Sequence, residues 1–168
     1  MPRIAIVFVR LIDRLNHGVG RVAMYLLFVL MGILMWSAIS KASGAPSLWT
    51  LEMAQFVMVA YFVLGGPYAM QMGSHVRMDL FYARQSPVGR AWWDAVTVLA
   101  LIFYLGVMLW GAIDSTAYAL QYNERSPTAW RPYLWPIKVI LCIGFFLMLL
   151  QALAAFVRDV ATIRGDAI

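Results

Sequence analysis

Charge is scarce in this chain. Charged residues make up 12% of 168 positions, against 63% hydrophobic ones. Soluble domains carry about twice that charged fraction. A water-soluble fold of this length has no room to hide so much apolar surface, so the chain belongs in a bilayer. Cysteine is nearly absent: Cys142 stands alone inside an apolar run. It has no intrachain disulfide partner and no companions for a thiolate metal site, and reads as a small buried hydrophobe. Histidine occurs twice, at His17 and His75. Neither lies mid-span, which argues against a haem-ligating membrane anchor. A metal site at His75 lacks obvious further ligands. There is no Gly-rich phosphate loop, no zinc-type histidine pair and no Ser-His-Asp order of plausible geometry. Net charge is +5, but the basic residues sit at segment ends. No basic stripe with interleaved stacking aromatics appears, so the partner is anionic lipid rather than nucleic acid.

What the chain has is four long apolar stretches. They run from about 22 to 40, 51 to 72, 92 to 118 and 133 to 157. Each is close to or above the ~20 residues that cross ~30 Å of hydrocarbon. Connections are short and there is no internal repeat, so residues 1–168 read as one all-α membrane domain. Two aromatic belts flank the spans. Trp49, Tyr118, Tyr122, Trp130, Tyr133 and Trp135 form one, and Tyr25, Tyr82, Trp92 and Trp93 the other. Ser86-Pro87 fits a helix N-cap followed by proline at the first helical position. The basic residues set the topology. Nine lie in residues 3–21, the second connection and the tail 158–168, against four on the other side, namely Lys41, Arg125, Arg131 and Lys138. That asymmetry places both termini in the cytoplasm.

Residues 1–20 are not read as a signal peptide, because Arg10 and Asp13 interrupt the would-be apolar core. Arg3, Arg10, Asp13 and Arg14 fall near one helical face, opposite Ile4, Val7, Phe8, Leu11, Ile12 and Leu15. This predicts an amphipathic arm helix in the interface plane. The alternative is a plain extension of the first span.

Three ionisable residues open or close spans: Glu52, Asp114 and Lys138. At 1.5 Å per residue each lies about 10–14 Å from its span's centre, on the same side. Lys138 is expected to pair with Asp114, with Glu52 or with an external partner. A cation or proton path would need polar groups across the midplane. The inner halves of the first, second and fourth spans offer almost none, and only Asp94 lies at the inner edge of the third. Gly65-Gly66-Pro67 interrupts the second span. Without a matching second break it reads as a kink with close packing rather than a transporter-type broken helix. Gly106, Gly111 and Gly144 fit close packing as well. Between the second and third spans, His75-Val76-Arg77-Met78-Asp79-Leu80 alternates polar and apolar residues. A period of two means an extended edge with two faces. Gly73 is expected to end the preceding helix and Asp79 to cap a short interfacial helix, Leu80 to Gln85. The edge is either a solvated turn or a docking surface.

Four segments, in this order and spacing, resemble the small membrane subunit of tripartite ATP-independent periplasmic (TRAP) transporters, the DctQ-like family. They are "TLEMAQFVMVAYFVLGGPYAM" with Glu52, "GSHVRMDLFYARQSPVGRAWWD", "YNERSPTAWRPYLWPIK" and "GFFLMLLQALAAFVRDV". The resemblance runs from the first span to residue 158. It implies a small subunit of the bacterial inner membrane that carries no substrate. It would work beside a large elevator-type permease subunit and a periplasmic binding protein, importing an organic acid. The sodium that drives transport would bind the large subunit. No cofactor of its own is implied, only bound lipids. No residue is then catalytic, substrate-binding or metal-ligating. Glu52, His75, Arg77, Asp79, Asp114, Arg131 and Lys138 become candidates for the subunit interface or for structural polar roles. The competing reading is a free-standing small carrier or channel.

Overall fold

The structure is a computed structural model. It describes residues 3–72 and 87–164. The expected edge at His75, Arg77 and Asp79, the Gly73 terminus and the short helix from Leu80 lie outside them. Four helices carry the described chain: α1, Arg3–Ala42; α2, Thr50–Gln71; α3, Pro87–Tyr122; and α4, Trp135–Arg164. All four are long and apolar enough to cross a membrane. The boundaries of α2 fall within a residue of the span read from sequence. Pro87 opens α3 as expected, where its missing N–H costs nothing.

The other ends have local causes. At the end of α1, Gly44 adopts φ +75°. The Ala45 N–H then reaches the Ser40 carbonyl at 3.1 Å and the Gly44 N–H that of Lys41 at 3.2 Å. This double closure satisfies carbonyls that the helix leaves open, and it requires a left-handed residue. Asn123, at φ 49°, does the same for α3, with the Glu124 N–H on the Ala119 carbonyl at 3.1 Å. The chain then folds into a small hairpin. Arg125 faces Tyr133 across an antiparallel bridge. The Ser126 N–H bonds the Pro132 carbonyl at 2.9 Å and the Leu134 N–H that of Glu124 at 3.0 Å.

One expectation is corrected here. The amphipathic arm is not a separate helix. Residues 3–42 form one unbroken rod of 40 residues, about 60 Å long. Nothing between Arg3 and the first span breaks a helix; Gly18 and Gly20 only weaken it. Val7, Leu11 and Leu15 of the arm stay exposed, but its neighbouring apolar residues are covered by the chain itself. Val9 and Ile12 pack on Ala154 of α4, flanked by Phe8, Leu150 and Val157.

The helices alternate up and down in an open layer rather than a closed bundle. α2 packs on both α1 and α4, α1 also meets α4 directly, and α3 packs chiefly on α4. Close approach of α2 and α4 depends on Gly144. A Cβ there would collide with the Val63 side chain and lie 3.0 Å from its carbonyl oxygen. Gly20 likewise receives the Tyr68 side chain. Gly106 and Gly111 have no such role: a Cβ at either would meet nothing within 4 Å. They lie on the outer face of α3. α2 runs through Gly65-Gly66-Pro67 as one continuous helix.

Candidate functional site: polar clusters at the two ends of the layer

Polar side chains gather at opposite ends of the layer. At the end holding both termini, α1 and α4 meet through neutral amides. Asn16 Nδ2 donates to Gln151 Oε1 at 2.5 Å, and Gln151 Nε2 donates to Asp13 Oδ1 at 3.1 Å. Arg158 closes the chain with an ion pair to the other Asp13 oxygen. Asn16 and Gln151 are wholly buried, at 0% and 1% exposure. Asn16 Oδ1 finds no partner among the described residues. Beside this cluster His17 meets Tyr68 edge-on, 5.4 Å between ring centres. Low polarity around such groups makes each bond stronger and each missing bond more costly.

At the opposite end, hydroxyls tie α1 to α2. Thr50 Oγ1 lies 3.2 Å from Ser37 Oγ, Ser47 Oγ 3.1 Å from Thr50 Oγ1 and Ser40 Oγ 3.1 Å from Ser47 Oγ. Glu52 follows two residues after Thr50. It is 7% exposed, and its Oε2 makes no hydrogen bond among the described residues. Glu52 and Val63 are eleven residues apart, close to three full turns, so Glu52 shares the face that Val63 turns to α4.

The same end settles the partner of Lys138. Neither Asp114 nor Glu52 pairs with it. Lys138 Nζ bonds Glu124 Oε2 at 2.5 Å and approaches the Ser115 carbonyl at 3.4 Å. The left-handed Asn123 turns the chain back just after α3, and this brings Glu124 over the start of α4. Asp114 is instead exposed on α3, in a shallow cleft with Gly106 and Trp110. Arg131 is exposed in the hairpin at φ 51°. Arg125 stacks over Tyr133, 4.2 Å from the ring centre, and donates to its hydroxyl. Half-buried Cys142 meets Thr116 of α3 at 3.2 Å. The amide cluster was missed from the sequence. Its signal was Gln151, the lone polar residue in the apolar run 139–157.

The geometry thus offers tethers at each end and apolar contact between them. Among the described residues no group of three or more His, Cys, Asp or Glu side chains converges. A family model described as "Tripartite ATP-independent periplasmic transporters, DctQ component" matches residues 30–162. The chain belongs to the DctQ family. As a DctQ chain it is a multi-pass membrane protein and a component of a TRAP transporter. It is 34% identical over 120 residues to the isethionate TRAP transporter permease protein DctMQ of Oleidesulfovibrio alaskensis. That match takes in 68% of this chain but 18% of the relative, so the DctQ chain spans less than a fifth of the relative's length. No solved structure matches it. The family match takes in Glu52, Asp114, Glu124, Lys138, Gln151 and Arg158. It begins after Asp13 and Asn16, so the α1 half of the amide cluster lies outside it.

Proposed function

We propose that this DctQ chain is the fixed, non-carrying scaffold of a sodium-driven importer of an organic acid. It works in the bacterial inner membrane with both termini cytoplasmic. Its partners are a large elevator-type permease subunit and a periplasmic binding protein, and it performs no catalytic step.

The observation that carries this reading is the open layer. Of the most apolar stretch of each helix, between 6% and 28% is buried within the chain. Such a layer has wide lateral faces and little interior. Its polar groups act as tethers between its own helices at the two ends. A carrier needs a site near the midplane with polar groups converging on it. Here the middle of the α2–α4 contact is Gly144 against Val63. The DctMQ relative supports a larger partner, since the part matching this chain is a minor share of that permease. The isethionate in its name supports a small organic anion as cargo. The arginine asymmetry supports the orientation.

The test is reconstitution. The chain, its large subunit and the binding protein are expected to give sodium-dependent uptake in proteoliposomes, and the chain should co-purify with the large subunit in mild detergent. The chain alone is expected to give none. Uptake by this chain alone would refute the scaffold and restore the free-standing carrier.

A further inference from the structure

A groove of about 520 Å³ opens among α1, α2, α4 and the α3–α4 hairpin. Volumes of about 300–1,000 Å³ enclose small-molecule-sized guests. Trp130, Tyr133 and Trp135 line it at the hairpin end, and Leu26, Ala60 and Ile140 also line it. Ala60 is ten residues into α2, about 15 Å along its axis. The groove therefore runs from an aromatic collar of the kind found at membrane interfaces to the middle of the hydrocarbon. One helical turn further, Val63 closes on Gly144 and ends it. Its length is that of one leaflet, half of ~30 Å. A transmembrane helix would need a groove that continues past the midplane. An acyl chain needs one that stops there.

Two arginines of the hairpin neighbour the groove's lining residues. Arg125 stacks on Tyr133, itself part of the lining. Arg131 stands between two lining residues, Trp130 and Pro132. It holds a left-handed conformation that non-glycine residues seldom adopt. The acid next to Arg125, Glu124, is engaged by Lys138. Arg131 makes no hydrogen bond or ion pair among the described residues. Guanidinium groups bind phosphate oxygens with paired, charge-assisted hydrogen bonds.

We propose that this groove binds one phospholipid of the leaflet on the hairpin side. One acyl chain lies along Tyr133, Ala60 and Ile140, and the phosphodiester sits between Arg125 and Arg131. This goes beyond the transporter reading and does not depend on it, since the lipid would bind the chain whether or not it is a scaffold.

The full-length chain, purified in detergent, is titrated with phosphatidylglycerol and read by native mass spectrometry. The expected result is one tightly held phosphatidylglycerol per chain. Arg125→Gln and Arg131→Gln are each expected to weaken it about fivefold, and millimolar inorganic phosphate should not displace it. Ala60→Trp fills the groove and is expected to abolish retention while the helical circular-dichroism spectrum is kept. Unchanged affinity in both arginine variants overturns the proposal. So does displacement by phosphate alone, which would mean an anion site without a chain site. So does a groove filled by a helix of the large subunit, revealed if Ala60→Trp splits the complex while the wild-type chain retains no lipid. If Ala60→Trp fails to fold, the two arginines, exposed in the hairpin, still decide the matter.

Discussion

Replacing Gln151 with leucine tests whether the amide cluster joins α1 to α4 as one coupled unit. The change keeps the size of a fully buried side chain and removes two hydrogen bonds, from Asn16 at 2.5 Å and to Asp13 at 3.1 Å. Hydrogen bonds between membrane helices are worth about 0.6 kcal/mol each on average. Their loss alone therefore costs about 1 kcal/mol. Asn16, at 0% exposure, is then left with both ends of its amide unsatisfied, which adds about 1–3 kcal/mol. Asp13 keeps Arg158 and adds little. Gln151→Leu should thus destabilise the fold by about 2–4 kcal/mol. The double variant Asn16→Leu/Gln151→Leu leaves no buried amide without a partner, and should lie within about 1 kcal/mol of the wild type. The assay is reversible unfolding by SDS in mixed micelles, followed by tryptophan fluorescence. Simple addition of the two single costs in the double variant would refute the reasoning, because the residues would then act independently.

Two further outcomes follow from the packing. Gly144→Ala drives a methyl into Val63 and should cost about 1–3 kcal/mol in the same titration. Gly106→Ala, with nothing within 4 Å of its Cβ, should be neutral or stabilising by up to about 1 kcal/mol through helix propensity; equal effects at the two sites would sink the close-approach argument. Lys138→Met leaves Glu124 without its cation. With side-chain exposures of 19% and 34% this should cost about 1 kcal/mol or less and lower complex yield when the chain is co-expressed with its large subunit; full retention of both assembly and uptake removes Lys138 from the working parts.

The spans were legible because hydrocarbon thickness imposes a length that composition alone reveals. α2 matched to within a residue, since Thr50 and Gln71 bound its apolar run. The arm was misread for a physical reason. Amphipathicity shows that a helix has an apolar face, but not what the face meets. Val9 and Ile12 face Ala154, more than 140 residues away, and no local pattern encodes that contact. Glu124 is not legible as the partner of Lys138 because it lies outside the apolar spans. The reversal at Asn123 carries a loop carboxylate back over α4. Asn16 and Gln151 escaped because neutral amides were not weighed beside ionisable groups, although in a low-dielectric layer their hydrogen bonds are just as obligatory. Gly106 and Gly144 look alike in sequence, and only the placement of α2 beside α4 tells the packed glycine from the exposed one.

The arrangement of α3 constrains how the chain is made. Helices enter the membrane in chain order, yet α3 packs chiefly on α4, which is synthesised after it. The α1–α2 pair can dock as soon as both are inserted, held by Ser37 and Thr50. For a time α3 must stand in lipid without its main neighbour, which its apolar, largely exposed surface permits. α4 then arrives last and touches all three predecessors at once: Gln151 receives α1, Gly144 receives α2, and Lys138 and Cys142 receive α3. A chain cut before Trp135 would thus be a helix pair and a solitary helix, because α4 is the element that joins them.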